Sequence, residues 1–140
     1  ANWIVYRFPD VLLMKAEALL QQGNFAETTA LINLIRIRAL VEKVPDSSSK
    51  NTLEDILFEE RAKEFCGEGK RWFDLIRFGR RNNYERIDKF IEILADNKSY
   101  EDAQIIRSKY SNPDSWFLPI HQDEIDQNDK LIQNPYYKNQ

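Results

Sequence analysis

The residues best suited to chemistry lie between positions 65 and 80, where charged side chains surround Trp72 and the glycines at positions 67 and 69. Arg71, Trp72 and Asp74 fall on one predicted helix, and Asp74 stands three positions from both Arg71 and Arg77, a spacing that suits intrahelical ion pairs. These residues could form a ligand site, or they could form an ion-pair network beside a core. Charges next to an apolar stripe usually belong to a solvated or paired face, which favours the structural interpretation.

No other set of residues assembles into a catalytic or metal site. The carboxylate pairs Glu59-Glu60 and Asp123-Glu124 are adjacent, so their members point in different directions, whereas glycosidases need two carboxyls facing each other at roughly 5–10 Å. His121 is the single histidine, which excludes a metal site made of histidines. Cys66 ends an apolar stripe, and we predict a buried small hydrophobe rather than a reactive thiol. No phosphate loop, nucleophile elbow or zinc spacing occurs, so we expect no enzyme, cofactor or metal.

Composition predicts a globular helical chain. The 140 residues are 42% hydrophobic and 31% charged, which fits one domain or one part of a larger one. The net charge of −3 gives no basic face for nucleic acid. No apolar run approaches the ~20 residues that a membrane span needs. Only four glycines and five prolines interrupt long stretches of helical period, so the predicted class is all-α.

The first predicted unit is an αα-hairpin over residues 10–42. Its first helix covers residues 10–22 with Phe8, Leu12, Ala16 and Leu19 on one stripe, Gly23-Asn24 ends that helix, and the second covers residues 25–42. The outline is that of one tetratricopeptide unit. Such a unit cannot bury its outer face alone, so either further repeats precede this chain or its later helices cover that face.

Three further regions follow. A polar loop over residues 44–51 leads to a central helix pair at about 52–80, with Thr52 as the expected N-cap. Helices at about 84–110 come next, with a break at Asn82-Asn83 and a Ser99 cap, and the tail covers residues 111–140. We expect residues 116–120 to form an extended segment. Trp116 and Trp3 are candidates for stacking on a sugar ring, although burial in the core is the favoured interpretation for both.

Three sequence blocks resemble the C-terminal part of the SusD/RagB family of outer-membrane glycan-capture lipoproteins. The first is WIVYRFPDVLLMKAEA at residues 3–18, continued by INLIRIRA at 32–39. The second contains Glu60-Arg61, Glu64-Phe65 and Glu68-Gly69, followed by RWFDLIR at 71–77. The third is FLPI at 117–120 with QNPYY at 133–137. Two positions depart from the family pattern, namely Tyr136 in place of a glycine and His121 in place of a second proline, and residues 84–112 match no block.

The resemblance implies the C-terminal region of a larger helical protein with tetratricopeptide units. Such a protein is held on the outer face of the outer membrane by an N-terminal lipid anchor, which would lie outside this chain. It would bind an oligosaccharide or polysaccharide without cleaving it and would partner a TonB-dependent, SusC-like transporter. Glycan-contacting aromatics would lie mostly upstream. The motif residues would then be scaffold, with Trp72 in the core beside a charge network of Arg61, Glu64, Glu68, Arg71 and Asp74.

Two functions therefore compete. The preferred one is the scaffold of a surface glycan-binding lipoprotein that hands its ligand to a transporter. The alternative is a tetratricopeptide-type interaction module, which would dock a peptide or partner subunit on the hairpin at residues 10–42 and bind no carbohydrate. The chemical class of the ligand separates the two hypotheses.

Overall fold

Helices form all the regular structure of residues 5–46 and 48–138, which the computed structural model describes, and no strand occurs among them. The all-α prediction is confirmed. The α-helices are α1 (Phe8–Gln21), α2 (Phe25–Arg38), α3 (Lys50–Glu64), α4 (Arg71–Gly79), α5 (Arg81–Tyr84), α6 (Ile87–Ala95), α7 (Tyr100–Tyr110) and α8 (Gln122–Gln127), with 3₁₀ helices at Pro113–Trp116 and Pro135–Tyr137. The chain divides into two compact units, Ala1–Asp74 and Leu75–Gln140.

The first unit begins with the predicted αα-hairpin. Gly23 has a φ of 81°, and this left-handed backbone lets the Asn24 N–H donate to the Leu19 carbonyl at 2.9 Å, which closes the end of α1. The Asn24 side chain then accepts from the Glu27 N–H at 3.3 Å and caps α2. The Gly23-Asn24 turn is therefore where the sequence places it.

The core of the first unit lies where α1, α2 and α3 meet. Its buried members are Leu13, Ala16, Leu20, Ile32, Ile35, Val44, Leu53, Leu57 and Phe65. Phe8, which the sequence places on one stripe with the buried Ala16, lies outside this core, because Phe8 is 72% exposed. Five residues correspond to about 140° of rotation in an α-helix, so Phe8 points away from the direction that Leu13 takes.

Two helix boundaries differ from the predicted ones. Helix α2 ends at Arg38 rather than near residue 42, because Leu40 adopts a φ of 56° and the Val41 N–H donates back to the Arg36 carbonyl at 2.9 Å. Helix α3 begins at Lys50, since the Ser49 hydroxyl accepts from the Thr52 N–H at 3.2 Å. Ser49 is therefore the N-cap, and the prediction of Thr52 in that role is wrong.

In the second unit, Trp116 is 1% exposed and forms the centre of the packing. Its ring lies 4.1 Å from that of Phe90 between centroids, and its indole N–H donates to the Tyr110 carbonyl at 2.9 Å. Helix α7 has the predicted cap, because the Ser99 hydroxyl accepts from the Asp102 N–H at 3.1 Å. The predicted break before α6 is confirmed too, since Asn82 and its two successors have positive φ.

The tail is fastened by two side chains of the third sequence block. The Gln133 amide accepts from the Ile120 N–H at 2.9 Å and donates to the Ile120 carbonyl at 2.8 Å. The Asn134 amide donates to the carbonyls of Asp114 and Phe117 at 2.8 and 3.1 Å. These bonds hold residues 117–120 in an irregular path, and the predicted extended segment is wrong at Trp116, which ends a 3₁₀ helix.

Two neighbouring threonines of α2 give a first prediction. Both are fully buried, but Thr28 donates to the Asn24 carbonyl at 2.8 Å, whereas the Thr29 hydroxyl has no hydrogen-bond partner among the described residues. Thr29→Val removes an unsatisfied polar atom, so we expect it to raise the free energy of unfolding by about 1 kcal/mol. Thr28→Val is the matched control and should lower it. Urea denaturation measures both, and the opposite order would contradict the assignment.

Gly79 of α4 gives a second prediction. A Cβ at this position would lie 2.7 Å from Trp116 Cη2 and 3.2 Å from Phe90 Cβ. Gly79→Ala should therefore destabilise the protein by about 1–3 kcal/mol through overpacking, which outweighs the helical gain of about 1 kcal/mol. In a Trp116→Leu background the same change should cost less, because the ring is gone. Thermal unfolding of the four proteins measures this coupling, and a stabilised Gly79→Ala variant would exclude the close contact.

Candidate functional site

The candidate site is built around Phe65, the C-cap residue that follows the last residue of α3. Phe65 is buried, and its carbonyl accepts from the Glu68 N–H at 3.0 Å in the following turn. Gly67 and Gly69 have φ values of 81° and 71°, a conformation that residues with a side chain rarely adopt. The turn reverses the chain within five residues, so that Glu68 and Lys70 return beside the end of α3. The predicted helix, break and second helix are confirmed.

Three cations surround the Phe65 ring. The guanidinium carbons of Arg7 and Arg61 lie 5.1 and 5.0 Å from its centroid, and the Lys70 ammonium lies at 4.5 Å. Cations within about 6 Å of an aromatic face are attracted by its quadrupole. Phe65 therefore serves both as a core residue and as the platform on which positive charges gather.

Arg7 connects the start of the chain to the end of α3. Its guanidinium donates to the Glu64 carboxylate at 2.7 Å, to the Glu68 carboxylate at 2.8 Å and to the Glu64 backbone carbonyl at 2.5 Å. Arg38, in the last turn of α2, donates to the second Glu64 oxygen. Glu64 thus joins two arginines that are distant in the sequence.

Asp10 is a second point of convergence. Its carboxylate accepts from the Arg7 backbone N–H at 3.3 Å, is bonded by the Lys70 ammonium, and lies 3.7 Å from Arg61. Arg61 also donates to the Asp74 carboxylate at 3.0 Å. A carboxylate in the first turn of α1 is further favoured by the helix dipole. Asp10 therefore ties the start of α1 to α3 and to the turn before α4.

The second part of the first sequence block holds α2 against α3. Arg36 donates to the Glu60 carboxylate at 2.8 Å and to the Glu42 carbonyl at 2.5 Å. Asn33 brackets Val44, because its amide nitrogen donates to the Val44 carbonyl at 3.1 Å and its amide oxygen accepts from the Val44 N–H at 2.8 Å. This bracket keeps Val44 in the core.

We call these ten charged residues the charge network: Arg7, Asp10, Arg36, Arg38, Glu60, Arg61, Glu64, Glu68, Lys70 and Asp74. Five are cations and five are anions, so the network is neutral as a whole. Each of its carboxylates already accepts a hydrogen bond from a cation of the network. Such an arrangement holds segments together and leaves no carboxylate poised to act as an acid, base or nucleophile.

The pKa values follow from these contacts. Desolvation alone would raise the pKa of Glu64, but hydrogen bonds from Arg38 and Arg7 outweigh it and keep the pKa below its ordinary value. Hydrogen bonds from Arg7, and then from Lys70, lower the pKa of Glu68. Desolvation alone would lower the pKa of Lys70, but the bond to Asp10 outweighs it and the pKa is raised. Both acids therefore stay ionised, and Lys70 stays protonated, at neutral pH.

The residues singled out from the sequence occupy different environments in the structure. Arg61, Glu64, Glu68 and Asp74 lie in the charge network. The Arg71 guanidinium lies 4.0 Å above the Phe58 ring and donates to the Phe58 carbonyl at 3.4 Å. Desolvation lowers the pKa of Arg71, and the charge of Asp74 opposes that shift.

Four other positions were singled out from the sequence: two need correction, one is buried in agreement with the favoured interpretation, and one lies outside the described residues. Trp72 is only partly buried, so its assignment to the core is wrong. Cys66 is exposed rather than buried, because it follows the last helical residue and enters the glycine turn. Trp116 is covered by Phe90 and has no free ring face on which a sugar could stack. Trp3 lies outside the described residues.

Sequence reasoning assigned no role to five members of the network: Arg7, Asp10, Arg36, Arg38 and Lys70. Apart from Glu68, which lies two positions before Lys70, their partners in the network lie 24 to 61 positions away, so neighbouring residues give little sign of the pairing. One signal was present, because Glu60 and Glu64 are four residues apart and share a face of α3. Because this face packs beside α2, the two acids could be expected to pair with the two basic residues in the last turn of α2.

Residues 5–46 and 48–138 contain neither a cluster suited to a metal ion nor a helix suited to crossing a membrane. In this part of the chain no group of three or more histidine, cysteine, aspartate or glutamate side chains could hold a metal ion. None of its helices is both long and apolar enough to cross a membrane.

Comparison with known proteins identifies the relatives of this chain. The sequence model of the SusD family matches residues 1–137. SusD-like protein P38 of Formosa agariphila is 42% identical over 84 residues, which cover 54% of this chain and 17% of that protein. Starch-binding protein SusD of Bacteroides thetaiotaomicron is 38% identical over 76 residues, or 54% of this chain and 12% of that protein.

A solved structure resembles the fold over nearly the whole chain. A SusD superfamily protein from Bacteroides thetaiotaomicron aligns with a TM-score of 0.64 and 27% identity, covering 96% of this chain and 26% of that one. The chain thus spans about a quarter or less of the length of these relatives.

The charge network predicts a specific loss of stability in acid. The folded pKa of Glu64 lies below its ordinary value of 4.5, so its contribution is complete above pH 4.5 and is lost as the pH falls through the folded value. Glu64→Gln should lower the free energy of unfolding at pH 7 by about 1–3 kcal/mol, because the buried Glu64 loses the charge-assisted hydrogen bonds that it accepts from Arg7 and Arg38. It should also weaken the pH dependence below 4.5. Urea denaturation between pH 7 and pH 3 measures both effects.

Glu59→Gln is the matched control for this experiment. Glu59 lies on the same helix, its side chain is 66% exposed, and its partner Lys63 is equally exposed. An exposed pair contributes little, so this variant should follow the wild-type profile. Identical profiles for Glu64→Gln and Glu59→Gln would contradict the role of the network.

Proposed function

The chain belongs to the SusD family, and on that premise we propose that it is the scaffold of a cell-surface glycan-binding lipoprotein. The whole protein would capture an oligosaccharide or polysaccharide and pass it to a TonB-dependent, SusC-like transporter in the outer membrane. Its membrane contact would be an N-terminal lipid anchor outside this chain. These statements concern the whole protein, of which the chain supplies the helical part described above.

The convergence of the motif residues in the charge network carries the assignment of a scaffold. Members of the first and second sequence blocks meet around Phe65, which is buried, and their charges neutralise one another. A sugar site needs polar groups that are free to bond hydroxyls and an aromatic face that is open to solvent. The network offers neither, so we infer that glycan contacts come from other parts of the protein.

A non-catalytic role agrees with the same geometry. SusD-like proteins are carbohydrate-binding proteins without catalytic activity. The network carboxylates accept hydrogen bonds from cations, whereas hydrolysis of a glycosidic bond needs one protonated acid and one free carboxylate across a cleft. We therefore propose that the protein binds its glycan and releases it unchanged.

The name of one relative suggests the first ligand to test. The Bacteroides protein is called a starch-binding protein, so α-glucans are the first class of glycan that we propose for this protein. The other hypothesis, an interaction module that binds no carbohydrate, predicts that no polysaccharide will interact.

Affinity electrophoresis of the full-length protein that contains this chain tests the proposal. We expect gels containing starch or another polysaccharide to retard it relative to serum albumin. The Arg61→Lys variant keeps the charge but loses the planar fork that bonds Asp74, so it should melt at a lower temperature and show the same retardation when folded.

Two results would contradict this proposal in different ways. If no polysaccharide in the panel retards the wild type, glycan capture is wrong, and the interaction module becomes the better hypothesis. If Arg61→Lys melts at the wild-type temperature but loses retardation, glycan capture stands and the scaffold role of the network is wrong.

A further inference from the structure

Three consecutive residues of α5 have a left-handed backbone. Asn82 and Asn83 have φ values of 46° and 57°, and Tyr84 has a φ of 66°. We call these three residues the left-handed turn. Residues with a Cβ rarely adopt this conformation, although asparagine tolerates it better than most. The backbone is therefore ordinary for the two asparagines and strained at Tyr84.

The left-handed turn brings α6 back beside the end of α4. A Cβ on Gly79 would lie 3.2 Å from the Phe90 Cβ, so the two backbones approach each other closely. In one continuous α-helix the eleven residue steps between them would correspond to about 16.5 Å along the axis. Arg80 and Glu85, which precede and follow the turn, both have a right-handed backbone. The left-handed turn therefore interrupts a path that is right-handed on either side of it.

Contact with the buried Trp116 ring holds the left-handed turn in place. The Tyr84 ring meets the Trp116 ring edge-on with 5.6 Å between the centroids, and the Phe90 ring lies 4.1 Å from the same indole. Within the segment itself, the Asn82 amide donates to the Glu85 carboxylate at 2.9 Å. A strained backbone persists only where the surrounding structure fixes it. Trp116 supplies that constraint for Tyr84 from outside the turn.

We propose that the left-handed turn is a two-state hinge controlled by the Trp116 ring. With the ring in place, the turn keeps α6 folded back on α4. With the ring withdrawn, the turn relaxes to a right-handed backbone, and the end of α4 joins α6 in one continuous helix. The two states exclude each other, because Phe90 cannot lie beside Gly79 when both belong to one continuous helix.

The tail connects to the hinge through the position of Trp116. The indole N–H donates to the Tyr110 carbonyl at 2.9 Å. The Asn134 amide donates to the carbonyls of Asp114 and Phe117, which lie close to Trp116 in the sequence. Coupling between distant parts of a protein needs an element with two discrete arrangements, and the left-handed turn provides one. A change at Asn134 therefore reaches the turn through Trp116.

Glycine and alanine at the exposed position 83 test this inference in the full-length protein. Glycine adopts a left-handed backbone freely, whereas alanine favours a right-handed helix. Hydrogen exchange of the α6 amides, measured by mass spectrometry, reports the local stability. With Trp116 present, the α6 amides of Asn83→Ala should exchange about fivefold faster than those of Asn83→Gly. In a Trp116→Leu background the order should reverse, because the turn is then right-handed.

Asp88 is the matched control, because it is exposed and lies within the right-handed helix α6. At this position the glycine variant should exchange faster than the alanine variant in both backgrounds, since glycine is a poor helix former. If Trp116→Leu does not fold, Asn134→Ala takes its place, because it releases the two carbonyls near Trp116. The fivefold difference between Asn83→Ala and Asn83→Gly should then shrink.

Two outcomes would overturn the inference. Equal exchange rates for Asn83→Ala and Asn83→Gly with Trp116 present would show that position 83 is not held in a left-handed backbone. The same fivefold difference in both backgrounds would show that the turn keeps its conformation without the Trp116 ring, so that it is not a hinge. No glycan takes part in this measurement, so either result leaves the proposed function standing.

Discussion

The burial of Phe65 beneath three cations is the constraint on which the first unit depends. Arg7, Arg61 and Lys70 could not lie within 5.1 Å of this ring unless carboxylates balanced their charge. Those carboxylates come from α1, α3, the glycine turn and the first turn of α4, so the groups that balance the cations around Phe65 connect all four segments. A buried network of this kind gives specificity more than net stability, because desolvation offsets much of the attraction between opposite charges.

The spacing of the family motifs follows from this constraint. Glu60 and Glu64 are one helical turn apart because each must meet an arginine from the last turn of α2. Arg61 lies beside them so that it can face Asp10 and Asp74 instead. The spacing of the motif residues is therefore set by the way in which several helices pack together. In the sequence these charged residues are clustered as they would be in a catalytic site. In the structure their carboxylates pair with cations from other segments and stabilise the packing of the helices.

Local signals were enough to predict much of the fold. The helix ends near Gly23 and Ser99 depend on contacts within five residues, and both were correct. The pairing of Arg7 with Glu64 spans 57 positions, and no local pattern could indicate it. Periodicity also failed for α1, because a helix with two apolar faces does not reveal which face enters the core. This ambiguity explains why Phe8 is exposed although it shares a predicted stripe with the buried Ala16.

The charge network also influences which side of α1 faces the core. Arg7 and Asp10 fasten the first turn of α1 to the end of α3, which sets the rotation of the helix about its own axis. That rotation decides whether Val11 or Leu13 faces the core, because the two point in nearly opposite directions. The network therefore favours the packing in which Leu13 faces the core and Val11 points outward.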